Sequence, residues 1–181
     1  VEVKQRRGER IFDFMEYLSG FVAERTVLDI GVVEHDITHI ESSNWKHKKI
    51  KEVAKEVMGV DILPEEVALL QKRGFNVVVV DATSDTDLGF KFDRVFIGDV
   101  IEHVDNPINL LKFAARHLKN DGLILVTTPN PFCFFWTVLR EGTLISNAEH
   151  VSSISPCNAL EIARRAELEL HEYRLMQSRG V

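Results

Sequence analysis

Two cysteines in 181 residues, Cys133 and Cys157, stand far apart and in no paired spacing, which leaves no disulfide framework or zinc ribbon to hold the chain. Basic residues are outnumbered as well: 22 Lys and Arg face 28 Asp and Glu, for a formal net charge of −6. That balance argues against a dedicated nucleic-acid binder, whose phosphate contacts need a clustered basic face. Long hydrophobic runs are missing too. The longest, Phe132 to Leu139, contains a threonine and is less than half of the roughly 20 residues that span a bilayer. The first ten residues are charged, lack the apolar centre of a signal peptide and begin at Val1 rather than Met, as in a trimmed chain. These absences lead to the expectation of a reduced, cytoplasmic protein with no membrane span.

What is present is the material of one globular domain over residues 1–181, with 45% hydrophobic and 28% charged residues. A chain of this length buries roughly 70% of its unfolded surface, enough for a core without staples. Strand and helix signals alternate from end to end, the pattern of an α/β domain with a mostly parallel sheet. Ile11, Phe14, Met15, Leu18 and Val22 predict a first helix through Ala23, and Thr26 to Gly31 a buried strand. Asn44 is placed to cap a second helix carrying Ile50, Val53, Ala54 and Val57 at helical spacing. A strand over 57–61 follows, then a helix from Pro64 to near Gly74. The valine run in Asn76 to Asp81 reads as a central strand buried on both faces. Phe92 to Gly98 is the fourth strand. Asn106 and Pro107 cap a helix whose face is Ile108, Leu111, Ala115 and Leu118, and Asn120-Asp121-Gly122 turns it into a fifth strand, 123–127. Ser155-Pro156 begins the last helix, and Leu168 to Leu175 is expected as a sixth strand.

In doubly wound sheets a ligand sits outside the carboxyl ends of the strands, where the strand order reverses. Those ends carry Asp29 and Gly31, then Asp61, Asp81, Asp99, and Thr128 with Asn130. A nucleoside-like ligand needs a close backbone approach at one strand end, which Gly31 permits, and at the next a carboxylate such as Asp61 to accept from two ribose hydroxyls. Each aspartate taken singly also reads as a turn or cap residue; the ordered set is what points to a site.

Val27-Leu28-Asp29-Ile30-Gly31, Gly59-Val60-Asp61, Val80-Asp81-Ala82, Phe92-Asp93-Arg94-Val95, Gly98-Asp99-Val100-Ile101-Glu102-His103-Val104 and Leu118-Lys119-Asn120-Asp121-Gly122 resemble, in this order, the motifs of class I S-adenosylmethionine-dependent methyltransferases. Thr128-Pro129-Asn130, Glu149-His150-Val151-Ser152 and Ser155-Pro156 are similar to the branch that holds small-molecule and sugar O-methyltransferases. The resemblance implies a Rossmann-like, doubly wound sheet and S-adenosylmethionine as cofactor. It implies Asp29 and Gly31 beside the methionine part, Asp61 on the ribose, Ile62 against the adenine, Asp81 with Ala82 at the adenine amino group, and Asp99 with Val100 on the pocket floor. It also implies a seventh strand, antiparallel to the sixth, and the chain ends at 181 before one. A sixth strand left at an edge would seek a partner.

One departure stands out. Where the family continues Gly-x-Gly, this chain reads Gly31-Val32-Val33, and a β-branched residue is bulky and ill suited to positive φ. Val33 either weakens cofactor binding or marks a displaced loop.

For methyl transfer the protein must place a nucleophile and exclude water. An oxygen acceptor, a small hydroxylated molecule or sugar unit, also benefits from a general base, and His103 and His150 are the candidates. Each also reads as a surface or cap residue. His35, Asp36 and His39 lie close in sequence, but without helical periodicity they are read as loop, and no metal is expected. Trp45-Lys46-His47-Lys48-Lys49 reads as the solvated start of a helix, or as a contact for an anionic group. Phe132, Phe134, Phe135 and Trp136, four of fifteen aromatics, could wall the acceptor pocket, cover the sheet edge or make a homo-oligomer contact. Two competing readings are a catalytically silent domain of this fold used for binding or assembly, which Val33 favours, and a nicotinamide enzyme, which the absent GxGxxG disfavours.

Overall fold

A short helix, α1 (Glu2–Gln5), precedes α2 (Phe14–Val22), which begins where Asp13 Oδ1 accepts the Glu16 amide. The elements that follow are β1 (Thr26–Ile30), α3 (Lys46–Val53), β2 (Glu56–Asp61), α4 (Pro64–Lys72), β3 (Val77–Val79) and β4 (Phe92–Gly98). The series ends with α5 (Pro107–Arg116), β5 (Leu118–Thr127) and α6 (Pro156–Arg165). The computed structural model describes residues 2–34, 40–42, 44–133 and 149–176. Phe134, Phe135, Trp136, the His35, Asp36 and His39 group and the last five residues of the tail lie outside them.

The five strands form one parallel sheet in the order β3-β2-β1-β4-β5. The chain builds outward from β1 to β3, then crosses back to place β4 on the other side of β1, so the reversal of order falls between β1 and β4. Alternation along each strand separates the two faces. Leu28, Ile30, Val95 and Ile97 pack with Leu110 and Phe113 of α5, whereas Val27 and Phe96 pack with Leu18 of α2 and Ile50 of α3. Among the described residues, no helix is long and apolar enough to cross a membrane.

Several boundaries differ from expectation for identifiable reasons. The N-cap of α3 is Trp45, not Asn44. Its indole is buried and Nε1 donates to Val32 O at 2.8 Å, so a core contact sets where the helix begins. The valine strand β3 is the edge of the sheet, with Val79 half exposed, because the next strand crosses to the far side of β1. The buried face of α5 is Leu110, Leu111, Phe113 and Ala114. Leu118 belongs to β5, where it sits opposite Phe92 while Leu123 sits opposite Arg94, so Asn120-Asp121-Gly122 is a bulge within a strand rather than a turn before it. Leu168 to Leu175 does not join the sheet. It runs beside the N-terminal segment, with Tyr173 N donating to Arg6 O, Gly8 N to Tyr173 O and Ile11 N to Leu175 O, each at 2.9 Å. The start of the chain thus takes the backbone bonds that a sixth strand would have given the sheet.

At the amino end of the sheet, Asp93 of β4 ties the crossing strands together. Its Oδ2 accepts from Thr26 N at 2.9 Å and Thr26 Oγ1 at 2.7 Å, and its Oδ1 from Lys119 Nζ at 2.9 Å. The Thr26 hydroxyl and amide, then Lys119, hold this carboxyl well below the usual carboxylate range. Asp93→Ala leaves the Thr26 amide without its partner, and is expected to cost about 1–3 kcal/mol at pH 7 in urea unfolding. Because the folded value is depressed, the contribution is complete above the unfolded value of about 4 and fades as pH falls below it. The gap between parent and variant should therefore narrow from pH 4 to pH 2; a gap that stays constant would show that the charge is not what matters.

Candidate functional site

The carboxyl ends of β1 and β4 meet at Gly31. Its φ is +82°, and a Cβ built on it would overlap Val100 Cγ2 just beyond β4. Glycine is therefore required here twice, by conformation and by space. The chain then passes through Val32 and Val33, and both side chains turn inward, buried with Ile40, Trp45, Val67 and Leu70. Val33 is not in the left-handed region; Glu34, at φ +53°, makes that turn instead. The valine that departs from the glycine pattern thus points away from the crevice, and its amide donates to Asp61 Oδ2 at 2.9 Å.

At the end of β2, Asp61 is nearly buried, and its Oδ1 accepts from Leu63 N at 3.2 Å. Next to it, Ile62 is 64% exposed, an apolar side chain held in the open at the mouth of a strand. At the end of β3, both the amide and the hydroxyl of Thr83 bond Asp81 Oδ1, at 2.8 and 2.7 Å, which leaves Oδ2 toward solvent and holds the carboxyl below its ordinary range. Ala82 beside it is buried. Asp61, Ile62 and Asp81 therefore stand just at or beyond the carboxyl ends of the neighbouring strands β2 and β3.

Asp29 sits elsewhere. It is buried on the α2 and α3 face, and its Oδ2 lies 2.8 Å from His47 Nδ1, which makes it a pillar beneath the crevice rather than a wall of it. The basic run beginning at Trp45 is divided by helical geometry: His47 turns into the core, whereas Lys46 turns to the strand ends. Lys46 Nζ stands 3.2 Å from Glu34 Oε1 and 3.4 Å from Asp99 Oδ2. Burial alone would lower its pKa, but the two carboxylates more than offset that and raise it, so it stays charged.

Asp99 has φ +56°, a conformation that aspartate tolerates better than most residues. Thr127 holds it, accepting from the Asp99 amide and donating to its Oδ1, both at 3.1 Å. The loop beyond carries Glu102 and His103. The Glu102 carbonyl accepts from Val151 N at 2.9 Å and Ser152 N at 3.2 Å, which draws His150 onto this loop. The rings of His103 and His150 meet edge to face, 4.6 Å between centroids. The two histidines, separated by 47 positions, are thus brought together as one unit.

Glu102 was part of a quoted motif, but nothing in its spacing gave it a role. It is 1% exposed, neither carboxylate oxygen makes a well-formed hydrogen bond, and its own amide and the Thr128 side chain offset burial only in part. Burial, reinforced by the charge of Asp99, pushes its carboxyl up to about 7. The signal available in the sequence was an acidic residue beside a histidine in an otherwise apolar loop.

Comparison with known proteins bears on the family and the fold. The model of a family described as a methyltransferase domain matches residues 3–173. (S)-coclaurine N-methyltransferase of Papaver somniferum is 28% identical over 102 residues, 56% of this chain and 29% of that protein. The chain spans about a third of the length of the curated relatives it matches. An S-adenosylmethionine-dependent methyltransferase structure from Thermotoga maritima superimposes with a TM-score of 0.58 at 22% identity, covering 84% of this chain and 67% of that one. A second, from Clostridium acetobutylicum, gives a TM-score of 0.52 at 14% identity, over 70% and 55% of the two chains. At these identities the structures speak for the fold, a class I methyltransferase fold.

The inward packing of Val33 has a direct consequence. Val33→Gly removes a buried side chain and leaves a cavity, and is expected to destabilise the protein by about 2–4 kcal/mol. It should not improve ligand binding. A thermal melt of the variant checks this; an unchanged midpoint would mean that Val33 is not packed as described.

Proposed function

The chain belongs to the methyltransferase domain family, and from that premise we propose that it transfers a methyl group from S-adenosylmethionine to an oxygen of a small hydroxylated molecule or sugar unit. The observation that carries the reading is the pairing of Asp61 with the outward Ile62 at the end of β2, beside the Gly31 switch point. An exposed apolar side chain next to a carboxylate suits a nucleoside, whose base needs a flat apolar contact and whose ribose needs an acceptor. Each Asp61 oxygen accepts one bond from a backbone amide, and a carboxylate has about four acceptor positions, so capacity for the ribose remains.

In this reading Ile62 packs on the adenine, and Asp81 Oδ2 with Ala82 meets its amino group. Gly31 gives close approach, and Lys46 supplies a positive charge for the methionine carboxylate. Asp29 acts from below, through His47 and the shape of β1. Asp99 and Val100 form the floor. When bound, the cofactor supplies a methyl group already activated by a sulfonium. His103 or His150 would accept the proton that an acceptor hydroxyl loses when its oxygen takes that methyl group.

A silent domain is the competing reading, favoured by the engagement of both Asp61 oxygens with amides. Calorimetry with S-adenosylhomocysteine separates the two: the enzyme reading expects saturable binding, weakened about tenfold or more in Ile62→Asp. With labelled S-adenosylmethionine and a panel of hydroxylated acceptors, His103→Ala should lower turnover while leaving the affinity for S-adenosylhomocysteine nearly intact. No binding at millimolar ligand would leave only the silent domain.

A further inference from the structure

A general base explains two imidazoles at the acceptor, but it does not explain Glu102. Burying a carboxylate with neither oxygen in a well-formed hydrogen bond is costly, and such groups are normally paired or bound to a metal. Glu102 is in that state at 1% exposure. Its neighbours are suited to the second solution, because one ligand atom from each of Glu102, His103 and His150 lies within 4.8 Å of the others. Ligands bound to one ion at about 2.1 Å stand roughly 3–3.5 Å apart, so modest side-chain rotations close the gap.

We propose that Glu102, His103 and His150 form a binding site for one divalent first-row transition ion, with coordination positions left open toward the acceptor. Two imidazoles and one carboxylate favour zinc, iron(II), cobalt or manganese over magnesium or calcium, which prefer oxygen donors throughout. Three protein ligands with an open position is the arrangement of catalytic rather than structural metal sites. The fold holds the three in place by a backbone route: the two amide bonds to the Glu102 carbonyl seat the 149–152 segment against the loop after β4.

The ion refines the part played by the imidazoles, which then serve as ligands. An acceptor hydroxyl on the open position becomes more acidic, its proton leaves to solvent, and its oxygen forms the O–C bond as the S–C bond of the cofactor breaks. That role rests on the proposed methyl transfer; the binding of the ion does not.

The test uses the chelator-treated chain. Cobalt(II) is titrated by visible absorption and manganese(II) by loss of the free-ion electron paramagnetic resonance signal, with magnesium as a comparison. One equivalent should bind, with magnesium held more weakly. Glu102→Gln and His150→Ala should each weaken cobalt binding at least tenfold. Circular dichroism melts without metal verify folding, and Glu102→Asp, which keeps the charge but withdraws the oxygens, replaces Glu102→Gln if that variant does not fold. No saturation at millimolar cobalt, or unchanged affinity in either the Glu102 or the His150 variant, overturns the site. S-adenosylhomocysteine binding is measured on the same samples: its loss with cobalt binding retained sinks the methyl-transfer reading alone, and the reverse sinks the metal site alone.

Discussion

At the end of β1 there is room for a hydrogen and none for a carbon. Gly31 is held at positive φ against Val100, which follows β4. It brings the ends of β1 and β4 together, though the two strands are separated in sequence by β2 and β3. It sends the following residues inward, so that Val32 and Val33 become core and their loop leans on Asp61. On the other side, it fixes the start of the loop that carries Glu102 and His103. A methyl group at this position would have to displace the Val100 side chain or unwind the turn.

Charge is the second constraint. Glu34, Asp99 and Glu102 lie near one another at the strand ends, and Lys46 is the cation set among them. Lys46 bonds Glu34 and Asp99 and reaches Glu102 only through a weaker, longer-range attraction. The two contacted carboxylates are thus compensated, whereas Glu102 is left with its charge strongly disfavoured. The placement follows from helix geometry, since α3 begins at Lys46 and its next residue, His47, turns to Asp29 in the core. One helix start therefore both anchors the floor and neutralises the rim.

The strands were legible because β-branched runs between turn residues have few other outcomes, and their order supplied the crevice. Ser155 as the cap of α6 and Asn106 as the cap of α5 were legible for the same local reason. What stayed hidden depended on partners far along the chain. The valine strand β3 carried no mark of being an edge, since that is decided by where β4 crosses. Leu168 to Leu175 carried a strand pattern, but its backbone partner is the N-terminal segment rather than the sheet. Val33 was misleading because a motif specifies which residues are usual, not which one makes the left-handed turn; Glu34 makes it here. Glu102 stayed hidden because the segment that bonds its backbone carbonyl, 149–152, lies nearly fifty positions away. His103 and His150 were named separately, but only folding could show that they share one spot.

The two ends of the sheet differ in how completely their polar groups are satisfied. At the amino end, Asp93 meets an amide, a hydroxyl and an ammonium, an arrangement that lowers the energy of its charged form. At the carboxyl end, Asp99 occupies a left-handed conformation, Glu102 is buried with neither oxygen in a well-formed hydrogen bond, and Ile62 is apolar in the open. Each of these raises the energy of the isolated chain, and a fold selected for stability alone would have no reason to keep them together. Backbone strain, an unpaired carboxylate and exposed apolar surface are the conditions that a ligand relieves, by coordination in one case and by burial in another. Positive φ and exposed apolar surface occur at the amino end too, at Glu24 and Phe90, so it is the buried carboxyl group of Glu102 that sets the carboxyl end apart among the described residues.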